Sequence, residues 1–167
     1  MAPGDADRPL PGAPHAHGRA SIYLQPGNVH SASEPTAITT VLGSCVSVCL
    51  YDPRARVGGM NHFLLPNPVN RERSARFGNV AMEELVEAVT RLGASLGSLR
   101  AKVFGGAAVL GTTRPSSKLH LGEENARLAL GALLDLGIPM VDGDVGGNRG
   151  RKVVFFTDDG TAWMRTL

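Results

Sequence analysis

Val46-Ser47-Val48-Cys49-Leu50-Tyr51 alternates Val46, Val48 and Leu50 against Ser47, Cys49 and Tyr51, and Asp52-Pro53 follows it directly. That is the period of a β-strand closed by a turn. Val57 to Leu65 reads as the return strand of a hairpin. Just upstream, Ile38 to Leu42 runs into Gly43-Ser44-Cys45, so a glycine turn delivers a cysteine to the start of the alternating strand. Further out, Ser21 to Gln25 has the character of a short strand and Ser31 to Pro35 that of a loop. Arg100 to Phe104 is a strand ending in Gly105-Gly106, and Met140 to Val145, Arg151 to Thr157 and Thr161 to Arg165 are three more. Two stretches carry helical spacing instead. Asn79 to Leu92 places Met82, Leu85, Val86, Val89 and Leu92 on one face, with Asn79 as cap, Glu83 and Glu84 near the start, Arg91 near the end and Gly93 as stop. Glu123 to Leu136 is expected to bury Ala126, Ala129, Leu130 and Leu133 and to end at Gly137 before Pro139. Seven or eight strands with two helices is an α+β fold: layered β-sheets with two main helices packed on one side.

At 167 residues the chain fits one domain. Residues 1–19 hold too little apolar surface to offset ordering entropy and are expected to be a flexible tail, leaving 20–167 as the folded unit. The 17 basic and 15 acidic residues nearly cancel. A formal charge of +2 offers no broad field for nucleic acid or anionic lipid, which speaks against both as partners. The N-terminus lacks the apolar run of a secretory signal, and no stretch approaches the roughly twenty apolar residues of a membrane span. With only Cys45 and Cys49, four residues apart, no disulfide framework can be built, so reduced thiols in the cytoplasm are expected.

A thiol nucleophile needs a base and backbone freedom around its sulfur. Gly43 gives Cys45 that freedom, and backbone N–H groups around Gly43-Ser44-Cys45 could stabilise an oxyanion. The alternative is that Cys45 is a small buried hydrophobe, the role expected of Cys49 inside the strand. Among five histidines, His15 and His17 sit in the tail, and His30 and His120 sit in loop-like sequence without a reactive neighbour. His62, in Gly58-Gly59-Met60-Asn61-His62, lies on the strand expected to fold back beside the cysteine strand; otherwise it is a satisfied histidine on a sheet. Cys45, Cys49 and His62 lack the paired ligand spacing of structural zinc. Gly105-Gly106 and Gly146-Gly147 do not fit phosphate-binding patterns and suit turns or close backbone approach to a groove. Arg149 and Arg151 beside the second pair read as a solvated turn or a contact for an acidic partner.

Several ordered motifs resemble the CheD chemoreceptor glutamine deamidases of bacterial and archaeal chemotaxis. They are Thr39-Thr40-Val41-Leu42-Gly43-Ser44-Cys45, Gly58 to Pro66, Ala101 to Ala107, Gly122-Glu123-Glu124-Asn125 and Asp144 to Val153. The resemblance implies Cys45 as nucleophile, His62 as acid/base and, six residues before the cysteine, Thr39 as the third member. Gly43, Ser44, Gly105 and Gly106 would line the oxyanion and substrate groove. It also implies a layered scaffold similar to toxin-type cysteine deamidases, no metal or organic cofactor, chemoreceptor cytoplasmic helices as substrate and a CheC-like phosphatase as a second partner. A thiolate–imidazolium pair attacking a glutamine carboxamide is the expected chemistry. Two other readings stay open: a non-catalytic module that binds such a phosphatase, and a redox-sensing thiol.

Overall fold

A computed structural model describes residues 18–109 and 120–167. Most of the expected tail, with His15 and His17, lies outside the described residues. The described chain forms nine strands and two α-helices. They run β1 (Ala20–Tyr23), β2 (Val29–Ala32), β3 (Thr36–Leu42), β4 (Val46–Asp52), β5 (Val57–Asn61), α1 (Gly78–Arg91), β6 (Arg100–Gly105), α2 (Leu121–Leu136), β7 (Met140–Val145), β8 (Arg151–Phe156) and β9 (Ala162–Thr166). One sheet has the order β1-β3-β8-β9 and the other β2-β5-β4-β6-β7.

The alternation along β4 sorts the protein into three layers. Val46, Val48 and Leu50 join Leu85 and Val89 of α1 and Ala129 and Leu133 of α2 in one core. Cys49 faces the other way, with Met60 and Phe104, into a second core shared with Ile38, Leu42, Val153 and Phe155 of the first sheet. Both helices therefore cover one face of the five-stranded sheet, and the four-stranded sheet covers the other, as the α+β reading expects. Burying a side chain such as Leu85 contributes about 1.5–3 kcal/mol. Close helix packing needs Gly59, where an added Cβ would meet Val89 Cγ1 at 2.9 Å.

Local signals and structure part company in four places. β2 forms from residues that read as loop, because its order comes from antiparallel pairing with β5 and not from any alternation of its own. β5 stops at Asn61 instead of running to Leu65, since the Asn61 side chain takes over the ladder: Val48 N–H donates to Asn61 Oδ1 at 2.8 Å. Asn79 does not cap α1. Phe77 occupies the cap position without a side-chain bond, and the N–H groups of Gly78 and Asn79 donate to the carbonyls of Leu65 and Pro66. Finally, Leu92 and Leu130 remain 40% and 37% exposed, while Asn125 of α2 is fully buried. Gly137, with φ of 68°, ends α2 in the left-handed conformation expected of it.

Candidate active site

Register decides whether the cysteine and histidine can meet. Cys49 pairs with Met60, and an isolated antiparallel bridge joins Val46 to Phe63, so the same register sets Ser47 opposite His62 and Cys45 opposite Leu64. Directly opposed residues share a face, and so do residues two apart. Cys45, Ser47, Cys49, Met60 and His62 consequently all face the four-stranded sheet. Cys45 and His62 are diagonal neighbours there, with Cys45 half-buried and His62 only 2% exposed. The His62 backbone is pinned on its outer side, its N–H donating to the Asn28 carbonyl and its carbonyl accepting from Gly27 N–H.

The hydroxyl that reaches His62 belongs to Thr40, with Oγ1 2.8 Å from Nδ1. The neighbouring Thr39, the expected third member, does not make this hydroxyl contact. On β3 the buried residues Ile38, Thr40 and Leu42 point between the sheets, and strand alternation turns the half-buried Thr39 side chain the other way. Thr39 contributes through its carbonyl, which accepts Leu24 N–H at 2.8 Å. The Leu24 carbonyl in turn accepts the Thr40 hydroxyl proton at 2.9 Å. Because that single proton is committed, the Thr40 oxygen faces His62 as an acceptor, and Nδ1 carries the ring hydrogen. Nε2 is left as a bare lone pair, buried and without a hydrogen-bond partner among the described residues.

The cysteine turn is held from three sides. Gly106 N–H donates to the Cys45 carbonyl and Ala107 N–H to the Gly43 carbonyl, both near 2.9 Å or shorter. Asn125 Nδ2 donates to the carbonyls of Ser44 and Leu64 at 3.0 and 2.9 Å, clamping the turn to the segment after β5 that carries His62. Arg151, 5% exposed, donates to the carbonyls of Gly105 and Gly146 and pairs with Asp144. It is a buried tie between the two glycine turns and not a solvated charge. Gly106 is thus spent on holding the turn, whereas the N–H groups of Ser44 and Cys45 meet no acceptor other than the cysteine sulfur among the described residues. Asn125 belongs to the Gly122-Glu123-Glu124-Asn125 motif, but no role was read for it; the signal was an amide among the small apolar residues of an amphipathic face. Among the described residues no three His, Cys, Asp or Glu side chains converge. A groove of about 1140 Å³ lies between α1 and α2, lined by Met82, Val86, Leu128 and Ala132 among others, and neither Cys45 nor His62 lines it.

A protein of Anaeromyxobacter dehalogenans (strain 2CP-C), called "Probable chemoreceptor glutamine deamidase CheD 1", is 60% identical over 96% of this chain and 95% of its own length. The chain belongs to the CheD family. A family model described as "CheD chemotactic sensory transduction" matches residues 64–166, downstream of Cys45 and His62. A CheD relative of the same description from Shewanella oneidensis is 44% identical over 89% of this chain and 73% of its own. Among solved structures, YlmD from Geobacillus stearothermophilus aligns with a TM-score of 0.44 and 16% identity over 78% of this chain and 60% of that one.

Electrostatics in this CheD chain favour uncharged groups. Burial pushes the Cys45 thiol up, partly offset by its own backbone N–H, and lowers His62 to about 4 from 6.5, with the Leu24 carbonyl opposing. Cys49 is pushed up much further by complete burial. Burial thus works against the charged form of each group, whereas the expected chemistry runs through thiolate and imidazolium. A consequence for stability follows. Between pH 6.5 and about 4 the unfolded chain protonates His62 and the folded chain does not, so stability is full above 6.5 and falls as pH drops towards 4. The loss approaches about 3 kcal/mol. Urea titrations at neutral pH and near pH 4.5 measure it, and His62→Gln is expected to flatten that part of the slope; an identical slope in the variant would exclude His62 as its source.

Proposed function

We propose that this chain deamidates glutamine side chains of chemoreceptors, releasing ammonia and leaving glutamate, with Cys45 as nucleophile and His62 as acid and base. The observation that carries the reading is the single imidazole lone pair, Nε2, left unpartnered on the face His62 shares with Cys45 while Thr40 holds Nδ1. As the Cys45 sulfur bonds to the carboxamide carbon, its proton passes to Nε2. The N–H groups of Ser44 and Cys45 are the donors at hand for the oxyanion. Nε2 then protonates the departing nitrogen, the C–N bond breaks and a thioester remains for water to hydrolyse. Starting from two neutral groups avoids placing an ion pair in a desolvated cleft before substrate arrives. Nothing in this sequence of steps calls on a metal or organic cofactor.

Each turnover replaces an amide with a carboxylate, which changes the charge repulsion between packed receptor helices. Such helices are the substrate the relatives' names point to, and the reaction belongs in the cytoplasm, where their signalling region lies. No described helix is long and apolar enough to cross a membrane. The likeness of this two-sheet scaffold to toxin-type cysteine deamidases belongs with the proposal, as does a CheC-like phosphatase partner, on which the chemistry does not depend.

The test is mass spectrometry of a receptor cytoplasmic fragment, where each converted glutamine gains roughly one mass unit as –NH₂ becomes –OH. A fragment left unchanged by the wild-type chain would refute the reading. Thr40→Val is expected to slow conversion about tenfold, the size of one lost hydrogen bond to a group that becomes charged, with Thr40→Ser close to wild type. Thr39→Val should cost much less than Thr40→Val, and the reverse order would restore Thr39 to the site.

A further inference from the structure

Ser47 is a polar residue that the packing of its layer does not ask for. It is fully buried and faces Phe104 across one strand pair and the backbone position of His62 across the other. Its neighbours on that face of the sheet, Cys49, Met60 and Phe104, belong to an apolar core. An alanine would fill such a position without a hydroxyl to satisfy. Yet among the described residues Ser47 Oγ has no hydrogen-bond partner, and the other polar atom on the same face left so is His62 Nε2. Buried hydroxyls are nearly always paired, and leaving one unpaired is costly. Two such atoms on directly opposed residues, the serine two positions on from Cys45, are explained together if both bond the same small molecule during the reaction.

We infer that Ser47 positions the water that hydrolyses the acyl-enzyme, holding it jointly with His62 Nε2. This rests on the cysteine acyl-enzyme reading above. During acylation Nε2 is engaged first by the Cys45 proton and then by the leaving nitrogen, so Ser47 has no part in that half. Once ammonia has left, Nε2 is a bare lone pair again and accepts one hydrogen of the water, while the Ser47 oxygen accepts the other. The water oxygen forms a bond to the thioester carbon as its proton moves to Nε2. The tetrahedral adduct collapses with cleavage of the C–S bond, the sulfur recovers that proton from Nε2, and the product is a glutamate carboxyl that ionises in solvent. Every atom comes from water and the thioester, and no redox partner is involved.

The two half-reactions separate the roles. Wild type, Ser47→Ala and Ser47→Thr are mixed with a receptor cytoplasmic fragment and quenched in acid, and both free ammonia and the covalent enzyme–receptor species are followed in time. For Ser47→Ala the expected result is first-turnover ammonia release close to wild type, deacylation slowed about tenfold and accumulation of the covalent species. Ser47→Thr, which keeps the hydroxyl, should restore deacylation. Hydroxylamine, a nucleophile that needs no positioned water, should restore turnover of Ser47→Ala. The ratio of burst to steady rate is independent of the folded fraction, so partial unfolding of a variant does not blur the answer. Equal slowing of both halves in Ser47→Ala, or no slowing of either, overturns the inference and leaves the acyl-enzyme intact. Deamidation that survives Cys45→Ala, with no covalent species in any sample, overturns both.

Discussion

Cys45→Ala is expected to reduce glutamine deamidation to background, a loss on the order of 10⁴-fold or more, without measurable change in fold. The side chain is half-buried and packs only against the margin of the second core, so its loss removes little buried surface. Nor can the other thiol replace it. Cys49 lies four residues further along the same face, fully enclosed between the sheets, and burial holds it protonated. Cys45→Ser should be nearly as inactive, because a serine hydroxyl beside an imidazole whose pKa has been lowered to about 4 faces a weak base. The wild-type rate should stay level through neutral pH and fall on the acid side through about 4, as protonation removes the Nε2 lone pair. A profile falling near the ordinary imidazole value instead would mean that the cleft holds a charged pair at rest. A redox-sensing role makes a different prediction: peroxide would consume Cys45 with no amide turnover at all.

What the sequence disclosed was whatever a local period can encode. The alternation of Val46 to Tyr51 announced both the strand and its two faces, and the turn at Asp52-Pro53 announced its partner. From these the shared face of Cys45 and His62 follows once register is known. The helices were legible for the same reason, although their ends were not: the cap of α1 comes from the carbonyls of Leu65 and Pro66, remote from any capping residue. Thr40 could not be chosen over Thr39 by spacing, since adjacent strand residues differ only in which side faces the second sheet. Asn125 and Arg151 were hidden for a related reason. Each satisfies backbone carbonyls from two separate turns, Ser44 with Leu64 and Gly105 with Gly146, and such pairs become neighbours only after the layers have assembled. Arg149, read together with Arg151, behaves differently again and donates to the Leu167 carbonyl at the chain's end.

Gly105→Ala is expected to be the most damaging substitution outside the reacting groups. Its φ of 108° is a region L side chains rarely adopt, which alone costs about 1–3 kcal/mol. An added Cβ would also be driven into the Cys45 carbonyl oxygen and lie 3.2 Å from the Cys45 carbonyl carbon. That carbonyl cannot simply move aside, because it already accepts Gly106 N–H at 2.8 Å, and the same turn is tied by Ala107 N–H and Asn125. Relief must therefore come from displacing Cys45 itself. Gly93→Ala supplies the control: its φ is 106°, nothing stands within 4 Å of its Cβ position, and it lies at the end of α1 away from the cysteine. Backbone strain is thus nearly equal in the two variants, and the collision is present in only one. Gly93→Ala should lose about 1–3 kcal/mol and keep its rate per folded molecule. Gly105→Ala should lose a further 1–3 kcal/mol or so and at least about 100-fold in rate per folded molecule, since a misplacement of about 1 Å is enough for that. Urea unfolding and the receptor-fragment assay read the two quantities separately. Equal losses in both, with activity retained, would show that the glycine serves the turn alone and that the position of the sulfur is set elsewhere.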